Sequence, residues 1–287
     1  MKKFPLNDPF KAFCRTEGYP IGYNDCLVAY LRDRYSKTGG SINDLMALWD
    51  GVLTPAGPPP VGFVPTDIAG GSLWLDASDA ASITHSGGSV SQWSDKFASA
   101  NHLTQATAGR QPTTNVNTQN SLNTMYFDGT EFLEKAVFVP TASLSVFMVA
   151  KVLATSSTID ALISMDAASN DWQVDSSVSG QFKYRMNSNI VTPTTASVAD
   201  YLGVASTTSF HFNNVDNTLK LNIESTLEYS AVYSPPMNLT QVLRLCANRP
   251  GTLYVRADIS EVIMYNAVLT PAEIASVETY LSTKWNT

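Results

Sequence analysis

At 287 residues the chain is long enough for one large domain and a small appendage. Apolar residues make up 44% and charged ones only 15%, with a net charge of −7: a core-forming protein with no basic stripe to neutralise phosphates, which excludes nucleic acid as a partner. No apolar run approaches the ~18 residues of a membrane helix, so membrane insertion is not expected.

The chain begins MKKFPLNDPFKAF, where Asn7, Asp8 and Pro9 interrupt any apolar stretch. No secretory signal is expected, and the protein is expected to be made in the cytosol and to stay soluble. Cys14, Cys26 and Cys246 are odd in number and lack metal-ligand spacing, so they read as small buried thiols.

Residues 22–51 carry one phrase twice. Asn24-Asp25 precedes Cys26, Leu27 and Tyr30; Asn43-Asp44 precedes Leu45, Met46 and Trp49. Each polar pair can cap a first helical turn, and the apolar residues that follow fall on one helical face. The spacing predicts two short amphipathic helices folded as a hairpin across Gly39-Gly40. Some 50 residues bury too little surface to be safely stable alone. Two readings follow: an anchor that docks on a larger body, or a small subdomain packed on its own β domain.

Pro55, Pro58, Pro59, Pro60 and Pro65 mark 52–69 as a semi-rigid extended linker. From there to the C-terminus, 70–287, short strands alternate with Ser/Thr/Asn-rich turns. SLSVFMVAKVL, Ser143 to Leu153, is apolar at almost every position and suits a central strand buried on both faces. Strict alternation follows, with Phe182, Tyr184 and Met186 facing inward in one strand and Leu219, Leu221 and Ile223 in another. Val255, Ala257 and Ile259 continue it, and the phase then slips at Ser260-Glu261, as a bulge requires. About a dozen such strands predict a mainly β protein built as an antiparallel sandwich. Thr270-Pro271-Ala272-Glu273 is a capping box, and Ile274, Val277, Leu281 and Trp285 mark one face of a closing helix.

Several phrases in this β region resemble the laminin-G-like branch of the concanavalin A-like jelly rolls, as found in phage and bacterial surface proteins. They are Trp74 to Ala77, Trp93 to Asp95, Asn101 to Gln105, Arg110 to Thr113 and Phe127 to Gly129, together with the closing strand and helix. The front repeat resembles the Asn-Asp-Leu helical repeats of phage structural proteins. The resemblance implies a concanavalin A-like β-sandwich with an N-terminal helical anchor and a C-terminal helix. It further implies a virion surface protein that decorates a head, neck or tail. Asn24, Asp25, Leu27, Tyr30, Asn43, Asp44, Leu45, Met46 and Trp49 would be its anchor to other virion proteins, and homo-oligomers are compatible with that role.

Concanavalin-like sandwiches include glycoside hydrolases, whose resemblance lies in a Glu-x-Asp-x-Glu strand that is absent here. Asp258 with Glu261, and Glu131 with Glu134, are three apart and on opposite faces of an ideal strand, although a bulge could unite either pair. No retaining pair ~5 Å apart is evident, so no catalytic residue is assigned and no enzyme activity is expected. The family position of Glu261 supports the terminal helix, and that of His102 makes a hydrogen bond in a turn; His85, His102 and His211 lie far apart. No cofactor is called for. Asp166, Asp171 and Asp175 are candidate calcium ligands, with an acidic solvated loop as the competing reading. For sugar, the candidates are Asn170, Asp171, Trp172 and Gln173 on one loop, and Tyr233 beside Pro235-Pro236, against core or interface roles for both aromatics. The expected function is a virion structural protein displaying a lectin-like domain for adhesion to glycans. The alternatives are a dedicated carbohydrate-binding receptor protein and, third, a glycan hydrolase.

Overall fold

The computed structural model describes residues 62–139, 143–154, 160–166, 172–176, 182–186, 189–191, 202–213, 215–232, 241–248 and 254–287. For 172–176, 182–186, 189–191 and a few other strand positions, only the backbone is described. The duplicated phrase, and with it every anchor residue from Asn24 to Trp49, lies outside these residues, as does Tyr233.

The first strands are β1 (Gly71–Asp76), β2 (Ile83–Ser86), β3 (Ser89–Trp93), β4 (Leu103–Thr104), β5 (Thr118–Gln119) and β6 (Leu122–Asn123). Then come β7 (Met125–Asp128), β8 (Leu133–Phe138), β9 (Leu144–Ala154), β10 (Asp160–Asp166), β11 (Trp172–Ser176) and β12 (Phe182–Met186). The last are β13 (Asn189–Val191), β14 (Ala205–Asn213), β15 (Thr218–Ile223), β16 (Thr226–Val232), β17 (Gln241–Leu245) and β18 (Arg256–Tyr265), closed by helix α1 (Pro271–Trp285). One sheet runs β1-β18-β9-β14-β15-β16, with β7 also on β18; the other runs β13-β12-β11-β10-β17-β8-β4-β3-β2. Every described pairing between them is antiparallel, and β5 with β6 forms a small separate hairpin. Neighbours far apart in sequence, such as β1 and β18, give the jelly-roll connectivity expected of the β region.

Side-chain alternation explains the layers. In β9, Leu144, Val146, Met148, Ala150 and Val152 enter the core between the sheets, while Phe147 and Val149 point to the other face, beneath α1. A strand covered on both sides must be apolar throughout, which is why 143–153 reads as a continuous hydrophobic run. Leu219, Leu221 and Ile223 of β15 are buried as the alternation predicts. The phase slip is also present: the β18–β9 register shifts between Ile259 and Glu261. Ile259 and Val262 therefore both face the inter-sheet core, and Glu261 turns toward α1.

Helix α1 starts on Thr270, whose hydroxyl accepts from Glu273 N while the Glu273 carboxylate accepts from Thr270 N. Val277, Leu281 and Trp285 are fully buried against Trp74, Phe147, Ile263 and Tyr265. Each such side chain contributes about 1.5–3 kcal/mol by leaving water. The sandwich's contacts begin earlier than residue 70, the boundary read from composition. Ile68 is buried in the helix-side cluster, Tyr265 donates its hydroxyl to Pro65 O at 2.9 Å, and the Phe63 and Tyr280 rings meet at 5.9 Å.

The phrases that carry the family resemblance act as fasteners. Buried Asp95 accepts from Trp74 N and Phe97 N on one oxygen and from Ser99 Oγ and Asn101 N on the other. His102 Nδ1 accepts from Asp95 N at 3.0 Å, the turn hydrogen bond that the resemblance implies. Gln105 bonds Phe132 O and Thr107 N; Arg110 donates to Thr130 O. Gly129, at φ +99°, closes the turn in which Asp128 Oδ1 accepts from Thr130. Gly71 serves by lacking a side chain, since a Cβ there would lie 2.5 Å from the Phe97 ring.

Candidate functional site

Carboxylates come first, because this fold also serves hydrolases. The β18 bulge lets Asp258 and Glu261 share a sheet face, which an ideal strand forbids. Each is nonetheless engaged locally. Asp258 Oδ1 accepts from Asn117 Nδ2 at 2.8 Å. Glu261 is fully buried and accepts from Trp74 Nε1, Trp285 Nε1, Tyr280 Oη and Lys284 Nζ at 2.7–3.0 Å. Its nearer acidic neighbour is Asp76, directly across the β1–β18 register. The Lys284 ammonium touches both, at 2.8 Å from Asp76 Oδ1 and 2.7 Å from Glu261 Oε2. Lys96 adds contacts of 2.9 Å to Asp76 and Asp79. Burial pushes the Glu261 pKa up against the pull of Lys284. For Asp76, burial is outweighed by the Lys284 charge and by hydrogen bonds from Lys284, Ser78 and Lys96, which hold it below the usual carboxylate range. With a lysine between the two acids and α1 packed over them, a sugar has no access. The cluster clamps the helix to the sheet, the supporting role expected for Glu261.

Glu131 and Glu134 also diverge. Glu131 accepts from Asp128 N at 2.9 Å, and burial pushes its pKa up to about 7, aided by repulsion from Asp128. Glu134 Oε2 instead pairs with Arg244 Nε at 2.9 Å.

A second trio, Ser209, His211 and Glu278, contains the residue types of a nucleophilic triad. Its wiring is different. Ser209 Oγ donates to Glu278 Oε1 at 2.7 Å, and His211 Nε2 lies 3.0 Å from the same Oγ. The hydroxyl proton is thus used on the carboxylate, and the imidazole cannot accept it as a general base. The arrangement ties β14 to α1.

The open site is on the nine-stranded sheet. Its register aligns a polar row, Thr84–Gln92–Thr104–Glu134–Arg244–Ser164, one residue from each of β2, β3, β4, β8, β17 and β10. Leu103, Leu133, Leu243 and Leu245 alternate with it and fill the core, so the row lies on the face away from α1. At the Ser164 end the row is covered: Ser164 Oγ donates to Ala247 O and Arg244 Nη1 to Asn248 O. Left-handed Cys246, a buried free thiol, turns the chain there. Desolvation pushes the Cys246 thiol pKa up, with help from the Glu131 and Asp258 charges, so it is inert, as expected for a structural cysteine.

At the other end the row opens into a cleft of about 430 Å³ lined by Gln92, His102, Thr104, Glu134, Lys135 and Val137. The groups have defined senses. His102 Nδ1 is an acceptor for Asp95 N, so a neutral His102 ring carries its proton on Nε2. Glu134 is an acceptor whose position is fixed by buried Arg244. Lys135 and Thr104 add donors, and Val137, 61% exposed, adds an apolar patch. Such a mixture suits vicinal hydroxyls and one C–H face of a sugar.

Of the sequence candidates for sugar, only the backbone of Trp172 and Gln173 is described. Asn170 and Asp171 lie outside the described residues. Trp172 and Gln173 belong to strand β11, not to a loop: Trp172 stands opposite core residue Met165, and Gln173 opposite Ser164 of the polar row. Asp166 ends β10 and Asp175 lies within β11, so two of the three calcium candidates also have strand backbones. Among the described residues no three His, Cys, Asp or Glu side chains cluster as a metal site. No described helix is long and apolar enough to cross a membrane. Gln92, Thr104 and Lys135 escape the sequence reading, and Glu134 enters it only as a carboxylate beside Glu131, because only strand register brings the four together. The polar alternate of the core leucines at 103 and 133 was the one available signal.

No protein-family model matches the sequence, and no curated protein matches it. Solved structures do. Domain 4 of a GH43 extracellular arabinanase from Geobacillus stearothermophilus, in complex with arabinotriose, is similar with a TM-score of 0.54 at 12% identity, over 72% of this chain and 98% of that one. A mutant Trypanosoma rangeli sialidase displaying trans-sialidase activity gives 0.50 at 14% identity, over 76% of this chain but only 33% of the sialidase. The CBM40 of Ruminococcus gnavus IT-sialidase, bound to α2,3-sialyllactose, gives 0.41 at 13% identity, over 51% and 98%. The chain thus spans about a third of the sialidase's length. What the first two matches share with this chain is the fold: an antiparallel β-sandwich.

Proposed function

We propose that the sandwich is a carbohydrate-binding, non-catalytic module of a phage virion surface protein, held to the particle by its N-terminal helical repeat. The observation that carries the binding part is the open end of the polar sheet row. There Gln92, His102, Thr104 and Lys135 offer donors, Glu134 a fixed acceptor, and Val137 an apolar wall. The similar arabinanase domain was solved with arabinotriose, which fits a glycan as the ligand class. Among the described residues no Phe, Tyr or Trp lines the cleft, so recognition would rest chiefly on hydrogen bonds. Display of many copies on one particle would convert weak sites into firm adhesion.

The non-catalytic reading is supported by the fate of the acids. Asp76 and Glu261 clamp α1, Glu134 is paired with Arg244, and Glu131 closes a turn. The virion part rests on the duplicated Asn-Asp phrase and its resemblance to phage structural repeats. Two measurements test the proposal. Mass spectrometry of purified particles should find the chain, in hundreds of copies for head decoration or six to eighteen for neck or tail. A glycan array probed with the full chain should retain at least one glycan without releasing reducing ends. Absence from particles removes the virion role; cleavage of the retained glycan removes the non-catalytic one.

A further inference from the structure

His211 lies on β14, 6% exposed, with its ring edge-on to Phe147 at 5.2 Å. Ser209 gives its only proton to Glu278, so Ser209 Oγ must accept from His211 Nε2–H. Nδ1 is then the unprotonated nitrogen, a lone pair, and it has no hydrogen-bond partner among the described residues. A buried acceptor without a partner carries a free-energy penalty that a native fold seldom retains without a reason.

His211 is among the residues lining a cavity of about 130 Å³, whose apolar lining includes Val268, Leu269 and Ile274 and whose polar lining includes Asn213, Asp216 and Lys220. At ~30 Å³ per water the volume is several-fold more than one solvent molecule needs to satisfy Nδ1. Asp216 and Lys220 are exposed, so the cavity opens to solvent at its rim. Its chemistry restricts the occupant. A metal ion wants three or more ligands, but Asp216 Oδ1 already accepts from Thr218 N and Oγ1, Asn213 Oδ1 accepts from Val215 N, and Lys220 repels cations. Burial, seconded by the Lys220 charge, lowers the His211 pKa to about 3 and keeps the ring neutral. What remains is a neutral molecule with an O–H donor for Nδ1, further hydroxyls for the rim and a carbon face for the apolar wall.

We infer that this cavity between the β14–β15 hairpin and the segment leading into α1 is a second ligand site, binding one neutral sugar unit with a hydroxyl donated to His211 Nδ1. It is formed by the other sheet and does not depend on the cleft around Glu134. The test is imidazole nitrogen NMR on the full chain, titrated with D-galactose, D-glucose, L-arabinose and glycerol. At least one monosaccharide should shift the His211 Nδ1 resonance saturably while that of His85 stays in place. His211→Phe, read by isothermal titration calorimetry, should weaken that sugar about tenfold, the ratio one buried hydrogen bond carries. Val268→Trp, a change at a half-exposed rim position, should abolish the shift, and Val137→Arg in the sheet cleft should leave it unchanged. The proposal is overturned if every sugar leaves Nδ1 unmoved, if only glycerol acts and without saturation, or if the shift survives Val268→Trp. None of these outcomes touches the cleft, whose own variant is read separately.

Discussion

At Glu261, four donors converge on a carboxylate with no solvent exposure: two indoles, a phenol and an ammonium. Glu261→Ala would leave two indole N–H groups and Lys284 short of a partner in a buried place, and should cost about 3–5 kcal/mol in urea unfolding. Glu261→Gln, which keeps the shape but loses the charge opposite Lys284, should cost less yet still destabilise. A near-neutral Glu261→Ala would contradict the clamp. His211 makes a second prediction. Its folded pKa of about 3 lies below its ordinary 6.5, so between those values the unfolded chain binds more protons. Stability contributed by the neutral ring is therefore complete above pH 6.5 and is lost as pH falls toward 3, at up to ~1.4 kcal/mol per pH unit. Glu131 acts oppositely: its pKa is raised to about 7, so its contribution is complete below pH 4.5 and fades as pH rises through 7. His211→Phe should flatten the acid limb of a stability-against-pH curve, and Glu131→Gln the neutral limb; unchanged limbs would contradict these environments. At this scale the sequence was partly legible. The Glu261 position pointed to the helix, but nothing in spacing linked it to Asp76 or linked Ser209 to Glu278, because those pairs meet only across strands and a distant helix.

Elements were more legible than sites. The capping box of α1 is local chemistry, readable in four residues, and Thr270→Ala should cost ~1 kcal/mol by thermal or urea melting. Leu281→Ala, at the centre of the helix-side cluster, should cost ~2–5 kcal/mol. A larger loss at the cap than at Leu281 would contradict the view that packing, more than capping, secures the helix. The doubly buried strand β9 and the bulge in β18 were legible because each leaves a mark on side-chain periodicity. Strand β11 was not: Trp172-Gln173 sits among Ser, Asn and Asp, a composition that reads as loop, and pairing with β10 and β12 overrides it. The cleft was illegible for a related reason. Its polar residues come from β3, β4 and β8, and register alone aligns them.

On the scale of the whole molecule, the proposed function assigns binding to the sandwich and attachment to the N-terminal segment. If Leu27, Tyr30, Met46 and Trp49 form the attachment face, Trp49→Ala should leave the protein folded and soluble yet strip it from purified particles, as counted by mass spectrometry. Normal copy numbers would contradict that role. Carbohydrate binding at the open end of the polar sheet row, as proposed, is read by retention of the full chain on a glycan array beside its Val137→Arg variant. Val137 is 61% exposed, so an arginine there fills the cleft mouth without disturbing the core. The unaltered protein should retain at least one glycan, Val137→Arg should lose it with an unchanged melting curve, and Val268→Trp should keep it. A protein that binds no glycan, or binds equally well with arginine at 137, would contradict the proposed binding.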